Sequence, residues 1–338
     1  MLPPIECMIA RECPMTSESG EAVEDQLVKT ASPRIRFRLH NSEHGWLVFT
    51  LLTMLLWGGW GVVSKPVSDR LSPWQVQSAS AIGLLPVIGL LAFSRNLRSG
   101  RSPRRGFWLA FTAGVVATLG NVAYYQSLAS GGKAAAVTPL TALYPVVTVA
   151  LAIAILRERL NLVQLIGVLV SLAAIYVFNV ESNSSWLTSW LALALIPIGL
   201  WGTSALLQKC AALVASSELA TLGFLLGALP VSALTPIWAS MRWRFPLTIW
   251  GLVLSIGLFF ALGNLTLIYA YGSGGKASVV TPMAGLYAVV TIPLAIVLLG
   301  EHLTRREGLA ITLALIAAVA LSYEKRDVQP AADRTLAG

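Results

Sequence analysis

Charge is scarce in this sequence: 12% of its 338 residues are Asp, Glu, Lys or Arg, about half the share of an ordinary soluble domain. So few ionised side chains could not coat a globule of this length, which excludes a soluble fold. No Asp or Glu stands near the middle of any long apolar run, so the carboxylate relay of proton-driven carriers and the acid/base pair of a membrane enzyme are both missing. Histidine is confined to His40, His44 and His302, outside those runs. Cysteine is confined to Cys7, Cys13 and Cys210, an odd number without metal spacing, which excludes a disulfide framework and a zinc site and leaves free thiols. Two glycine-rich turns, Ser130-Gly131-Gly132-Lys133 and Ser273-Gly274-Gly275-Lys276, look superficially like phosphate loops. Each lacks the leading glycine at the required distance and follows its lysine with Ala, which argues against ATP-driven chemistry. No catalytic residue, metal ligand or cofactor site is expected, and the chain is not read as an enzyme.

What is abundant is apolar surface. Hydrophobic residues make up 56% of the chain and the mean hydropathy is +0.71. The stretch from Ala134 to Leu156 holds no charge, and about twenty such residues are what a helix needs to cross roughly 30 Å of hydrocarbon. The runs lack the alternation of barrel strands, and lipid offers backbone groups no partner, so the expected fold is an all-α integral membrane protein. About ten spans emerge, at 46–64, 74–94, 106–129, 134–156, 160–178, 187–208, 217–240, 247–271, 277–299 and 304–323. The net charge of +8 would suggest nucleic acid in a soluble domain. Here Lys and Arg sit in tails and short loops, where they orient the chain against the bilayer, so the partners read are lipid and a small-molecule metabolite, not nucleic acid.

The chain is also a duplication. Gly120-Asn121, Val137-Thr138-Pro139, Leu143-Tyr144, Val146-Val147-Thr148 and Glu158 return without a gap as Gly263-Asn264, Val280-Thr281-Pro282, Leu286-Tyr287, Val289-Val290-Thr291 and Glu301, and roughly half of all positions between Gly120 and Leu160 are identical to their partners. Trp57-Gly58 followed by Lys65 likewise returns as Trp201-Gly202 followed by Lys209. The organisation read is an acidic-then-basic tail at 1–45, taken as disordered, repeats at 46–180 and 186–323, and a second tail at 324–338. Five spans is an odd number, so the second repeat inserts upside down relative to the first, the inverted arrangement of many secondary transporters. With both termini in the cytoplasm, Arg34, Arg36, Arg38, the five arginines of 95–105, Arg157, Arg159, Lys325 and Arg326 fall inside, which satisfies the positive-inside bias of a cell membrane.

The run Thr138-Pro139-Leu140-Thr141-Ala142-Leu143-Tyr144-Pro145-Val146-Val147-Thr148, ending in Arg157-Glu158-Arg159-Leu160, and its copy ending in Glu301-His302-Leu303 resemble the drug/metabolite transporter superfamily and, within it, the EamA-type family of two five-helix repeats. The resemblance covers about 46–323. It implies ten transmembrane helices, a cavity between the repeats, and transport of a small metabolite without nucleotide hydrolysis. One departure is that Ala288 replaces Pro145 while Pro293 appears further along, so the two kinks need not match.

Candidate cargo contacts are uncharged residues at mid-depth: Trp57, Asn121, Tyr144, Thr148, Trp201, Asn264, Tyr287 and Thr291. Each has a plainer reading: threonines bond their own helix carbonyls, asparagines tie helices together, and tryptophans fill the core. Trp60 has similar depth but no repeat partner. Lys65, Lys133, Lys209 and Lys276 are candidate mouth residues. Lys133 and Lys276 open the fourth and ninth spans, where the helix dipole disfavours a cation. Two readings stand: they attract an anionic cargo to the helix N-terminus, or they snorkel to headgroups. Glu158 and Glu301 are read as pairing with Arg157, Arg159 or His302. The alternative function is a non-transporting scaffold or ligand sensor, and the oligomeric state is not legible.

Overall fold

Long apolar runs give helices, and short polar turns separate them. The computed structural model describes residues 45–156, 161–179, 189–238 and 244–323. The tails with Cys7 and Cys13, the Arg157 to Leu160 run with Glu158, and most of the break after the fifth span lie outside the described residues. Among the described residues ten spans follow one another, without strands: Gly45–Ser68, Pro73–Ala92, Pro103–Ala129, a fourth in two pieces, Leu162–Asn179, Ser189–Ala212, Ser217–Trp238, Leu247–Gly272, a ninth in two pieces, and Arg305–Ser322. Eight of them are long and apolar enough to cross a membrane, and Leu162–Val177 is a shorter apolar helix.

Hydrogen bonds between the connections sort them to two ends. At one, Ser127 Oγ donates to the Trp190 carbonyl at 2.7 Å, Arg306 Nε to Val177 at 2.7 Å, and Lys133 Nζ to His302 at 2.9 Å. At the other, Ser102 N donates to Val214 at 2.8 Å and Asn161 Nδ2 to Tyr323 at 2.8 Å. The ends alternate along the chain, so the first span of one repeat runs opposite to the first span of the other. The chain is an all-α membrane protein of two inverted five-helix repeats.

The repeats interlock rather than stand apart. The first span packs along the eighth, and the sixth along the third. The second and eighth spans meet at Gly83 and Gly257, and the seventh and third meet in the same way at Gly227 and Gly114. A Cβ built on Gly257 would stand 1.9 Å from the Ser80 carbonyl oxygen, and one on Gly114 would stand 2.0 Å from that of Phe224. Only glycine permits backbones this close.

The fourth span is helical over Ala134–Thr141 and again over Pro145–Leu156, and the ninth over Ala277–Gly285 and Ala288–Leu299. The kinks match after all, although Ala288 stands where Pro145 does. In each break the bonds tighten to i→i+3: Tyr144 N donates to Thr141 at 3.1 Å and Tyr287 N to Ala284 at 3.1 Å. The two breaks also touch, since a Cβ on Gly285 would stand 3.1 Å from the Ala142 carbonyl oxygen and 3.3 Å from the Pro145 ring. The break follows the crossing of the two spans, not the ring of one proline.

The crossings predict a contrast within a single helix. Gly257→Ala should lower stability by about 1–3 kcal/mol or prevent folding, because the added methyl meets backbone. Gly251→Ala, which meets nothing within 4 Å, should be neutral or gain up to about 1 kcal/mol from helix propensity. Thermal unfolding of the purified variants checks both.

Candidate functional site

Tryptophan needs a partner surface without side chains if it is to reach deep between helices, and the duplicated Gly-Asn pair supplies it. Trp57 on the first span reaches across to Gly263 on the eighth, where a Cβ would stand 2.4 Å from the indole nitrogen. Trp201 on the sixth reaches Gly120 on the third, where a Cβ would stand 2.6 Å from it. The adjacent asparagines meet the same ring edges in different ways. Trp201 Nε1 donates to Asn121 Oδ1 at 3.1 Å and to the Ala117 carbonyl at 3.2 Å. Asn264 Nδ2 instead donates to the Phe260 carbonyl at 2.8 Å, and the buried Trp57 Nε1 has no partner among the described residues.

Tyr144 and Tyr287 come from the two helix breaks. Their hydroxyls reach across the repeat interface, Tyr144 donating to the Thr281 carbonyl at 3.4 Å and Tyr287 hydrogen-bonded to Thr141 Oγ1 at 3.5 Å. The rings meet the tryptophans near-perpendicularly, with centroids 5.9 Å apart for Trp57 and Tyr287 and 6.2 Å for Tyr144 and Trp201, the edge-to-face geometry favoured by ring quadrupoles. Trp60, stacked on Tyr124 at 4.7 Å, adds a further wall.

These rings and both asparagines line one cavity of about 40 Å³, room for a few water molecules, so a larger cargo requires the walls to part. Its remaining lining is Ala117, Ser204, Ala205, Gln208, Phe260 and Leu267. The structure thus brings together Trp57, Asn121, Tyr144, Trp201, Asn264 and Tyr287. Thr148 and Thr291 lie behind the wall, fully buried. Thr148 Oγ1 donates to the Gly202 carbonyl at 3.0 Å and Thr291 Oγ1 to that of Gly58 at 3.0 Å, so each ties a broken span to the Trp-Gly segment of the other repeat. Gln208 escapes a search by repeats because Ser64 holds its equivalent position. The signal that finds it is an amide inside an apolar run, where an unpartnered polar group is costly.

The four lysines sit at the helix ends. Lys65 pairs with Asp69 and donates to the Leu128 carbonyl at 3.3 Å, at the end of the third span. Lys209 is buried, donates to the Gly275 carbonyl at 2.7 Å and lies 5.9 Å from the Tyr271 ring centre. Both serve the carbonyl-rich ends of helices, where a cation is favoured. Lys133 binds both Glu307 oxygens at 2.9 Å. Lys276 occupies the N-cap position of the ninth span. The anion at the N-terminus of the fourth span belongs to the chain itself, because the Glu301 carboxylate accepts from Ala134 N and Ala135 N, each at 2.8 Å. The helix dipole and two aligned N–H groups hold it there, where the sequence reading paired it with His302.

The unequal bonding of the two tryptophans predicts unequal sensitivity. Trp201→Phe should cost about 1 kcal/mol or more beyond Trp57→Phe, since it alone strips a donor from two buried acceptors. Thermal unfolding of both variants measures the difference.

The profile of the EamA-like transporter family matches residues 44–180 and 188–323. An uncharacterised protein of Methanocaldococcus jannaschii is 25% identical over 136 residues, covering 40% of this chain and 97% of that protein, which makes it about as long as one matched segment. A solved crystal structure is similar in fold with a TM-score of 0.59, over 82% of this chain and 96% of its own, at 19% identity. Two matched segments that together span most of the sequence place it plainly: the chain belongs to the EamA-like transporter family and is a multi-pass membrane transporter of the drug/metabolite transporter superfamily.

Proposed function

We propose that the chain carries a small organic molecule across the membrane by alternating access of its two inverted repeats, with the aromatic cavity as the cargo site and no nucleotide hydrolysis. The observation that carries this reading is the position of the cavity. It lies near the middle of the spans that line it, where the broken fourth and ninth spans cross and where each repeat inserts a tryptophan into the other. Discontinuous helices around a midplane site are how inverted-repeat carriers let one half rock against the other. Trp57, Asn121, Tyr144, Trp201, Asn264 and Tyr287 are the proposed cargo contacts. Thr148 and Thr291 are proposed to hold the wall in place. Glu301 and Lys133, which bind across the repeat interface, are proposed to latch one mouth shut.

The proposed orientation puts both termini in the cytoplasm of a cell membrane, on the strength of the arginines of 95–105 at the end where the first span begins. The latch then faces outward, and Ser204, Gln208 and Leu267 extend the cavity toward the cytoplasm. A reporter active only in the cytoplasm should be active after Gly338 and within 95–105, and inactive within 180–188. Activity at the last site would overturn the inversion in the membrane.

Uptake of a labelled metabolite library into proteoliposomes tests the function. Saturable, directional flux of one class is expected, and Glu301→Gln should change its rate, because an amide cannot accept from both N–H groups as a carboxylate does. Ligand-induced thermal stabilisation without flux would instead make the protein a sensor.

A further inference from the structure

We infer that the cargo is an uncharged molecule with a flat apolar body, one hydrogen-bond donor and one acceptor, the donor read by Gln208 Oε1 and the acceptor by Trp57 Nε1. This assignment rests on the transport reading of the same cavity. Charge is the first argument. None of the residues lining the cavity is ionisable to a full charge at neutral pH, and Lys209, next to Gln208, spends its ammonium on the Gly275 carbonyl. A carboxylate or ammonium entering the cavity would lose its water and meet no counter-charge, an outcome proteins avoid.

Polarity is the second. Gln208 is 3% exposed, and its Nε2 donates to Ser204 Oγ at 3.3 Å, yet its Oε1 has no partner among the described residues, like Trp57 Nε1. One is an acceptor and the other a donor; both belong to residues that line the cavity, and both atoms are closed over until the walls part to admit a cargo. A buried polar atom left unpaired costs free energy that a matching ligand restores.

The cavity also breaks the symmetry of the repeats. The repeat mate of Trp57 is Trp201, whose indole is fully used, and the mate of Gln208 is Ser64, which donates to the Trp60 carbonyl of its own helix at 2.7 Å. The unpaired atoms therefore occur once, not twice. The cavity has one polar direction laid over a pseudo-symmetric aromatic box, which accepts a molecule in one orientation.

Three isosteric probes separate the possibilities. Benzamide offers a donor and an acceptor without charge. Benzoate offers only acceptors and would set its charge against the Gln208 oxygen, whereas benzamidinium offers only donors and would leave Trp57 Nε1 unpaired. Equilibrium binding to the purified full chain should favour benzamide over both by at least about tenfold. Gln208→Leu should lose at least about tenfold in benzamide affinity while unfolding at the same or a higher temperature, because it deletes an unpaired carbonyl. A merely structural glutamine would lose stability instead. Gln208→Glu should reverse the order and favour benzamidinium. Equal or tighter benzoate binding, indifference of benzamide to Gln208→Leu, or failure of all three probes to bind would overturn the assignment. Benzamide binding without flux in proteoliposomes would remove transport and leave the assignment standing. Flux of a charged metabolite indifferent to Gln208→Leu would do the reverse.

Discussion

An indole edge can approach a helix closely enough to touch its backbone only where that helix presents no Cβ, and this chain provides such a seat twice, at Gly120 and Gly263. Most of the architecture depends on that contact. Each seat lies on the opposite repeat from its tryptophan, so each ring adds to the interlock of the two five-helix units. The same crossing brings Gly58 and Gly202 against the broken spans, where Thr291 and Thr148 donate to their carbonyls. With the small residues removed, the helices would stand further apart and the aromatic box would open.

The box is symmetric in its rings and asymmetric in its hydrogen bonds. Duplication copied Trp57 and Asn264 as Trp201 and Asn121, but only the latter pair bond each other. In water such a difference would be small, because solvent replaces a missing partner. Inside a bundle in lipid solvent is scarce, and an unpaired atom keeps its cost until water, a ligand or a movement supplies a partner. An inverted repeat can therefore retain its scaffold while one side acquires selectivity.

The contacts of the proposed latch follow the same accounting of polar groups. The first N–H groups of any helix lack intrahelical partners, and the fourth span begins inside the protein with no capping side chain of its own. Glu301 supplies the acceptor from the other repeat, and Glu307 neutralises Lys133 beside it. Separating the repeats at this end exposes two donors, two carboxylates and an ammonium. Water solvates all five groups readily, so the proposed latch is one that can reopen.

Hydropathy, the odd number of spans per repeat and the duplicated motifs determined the membrane class, the ten spans and the inversion, because each is a property of single helices or of the chain compared with itself. The aromatic and asparagine residues of the cavity were legible for the same reason: mid-depth polar or bulky groups recurring in both copies stand out. Tertiary structure alone decided which of them face the cavity. Thr148 and Thr291 recur as faithfully as Tyr144 and Tyr287, yet their hydroxyls turn to carbonyls of the other repeat, and the one-dimensional sequence holds no record of which neighbour a side chain will meet. Gln208 shows the converse. Its place in the cavity comes from what surrounds it and not from any pattern, since the cost of an unpaired amide depends on residues brought from five other spans by packing.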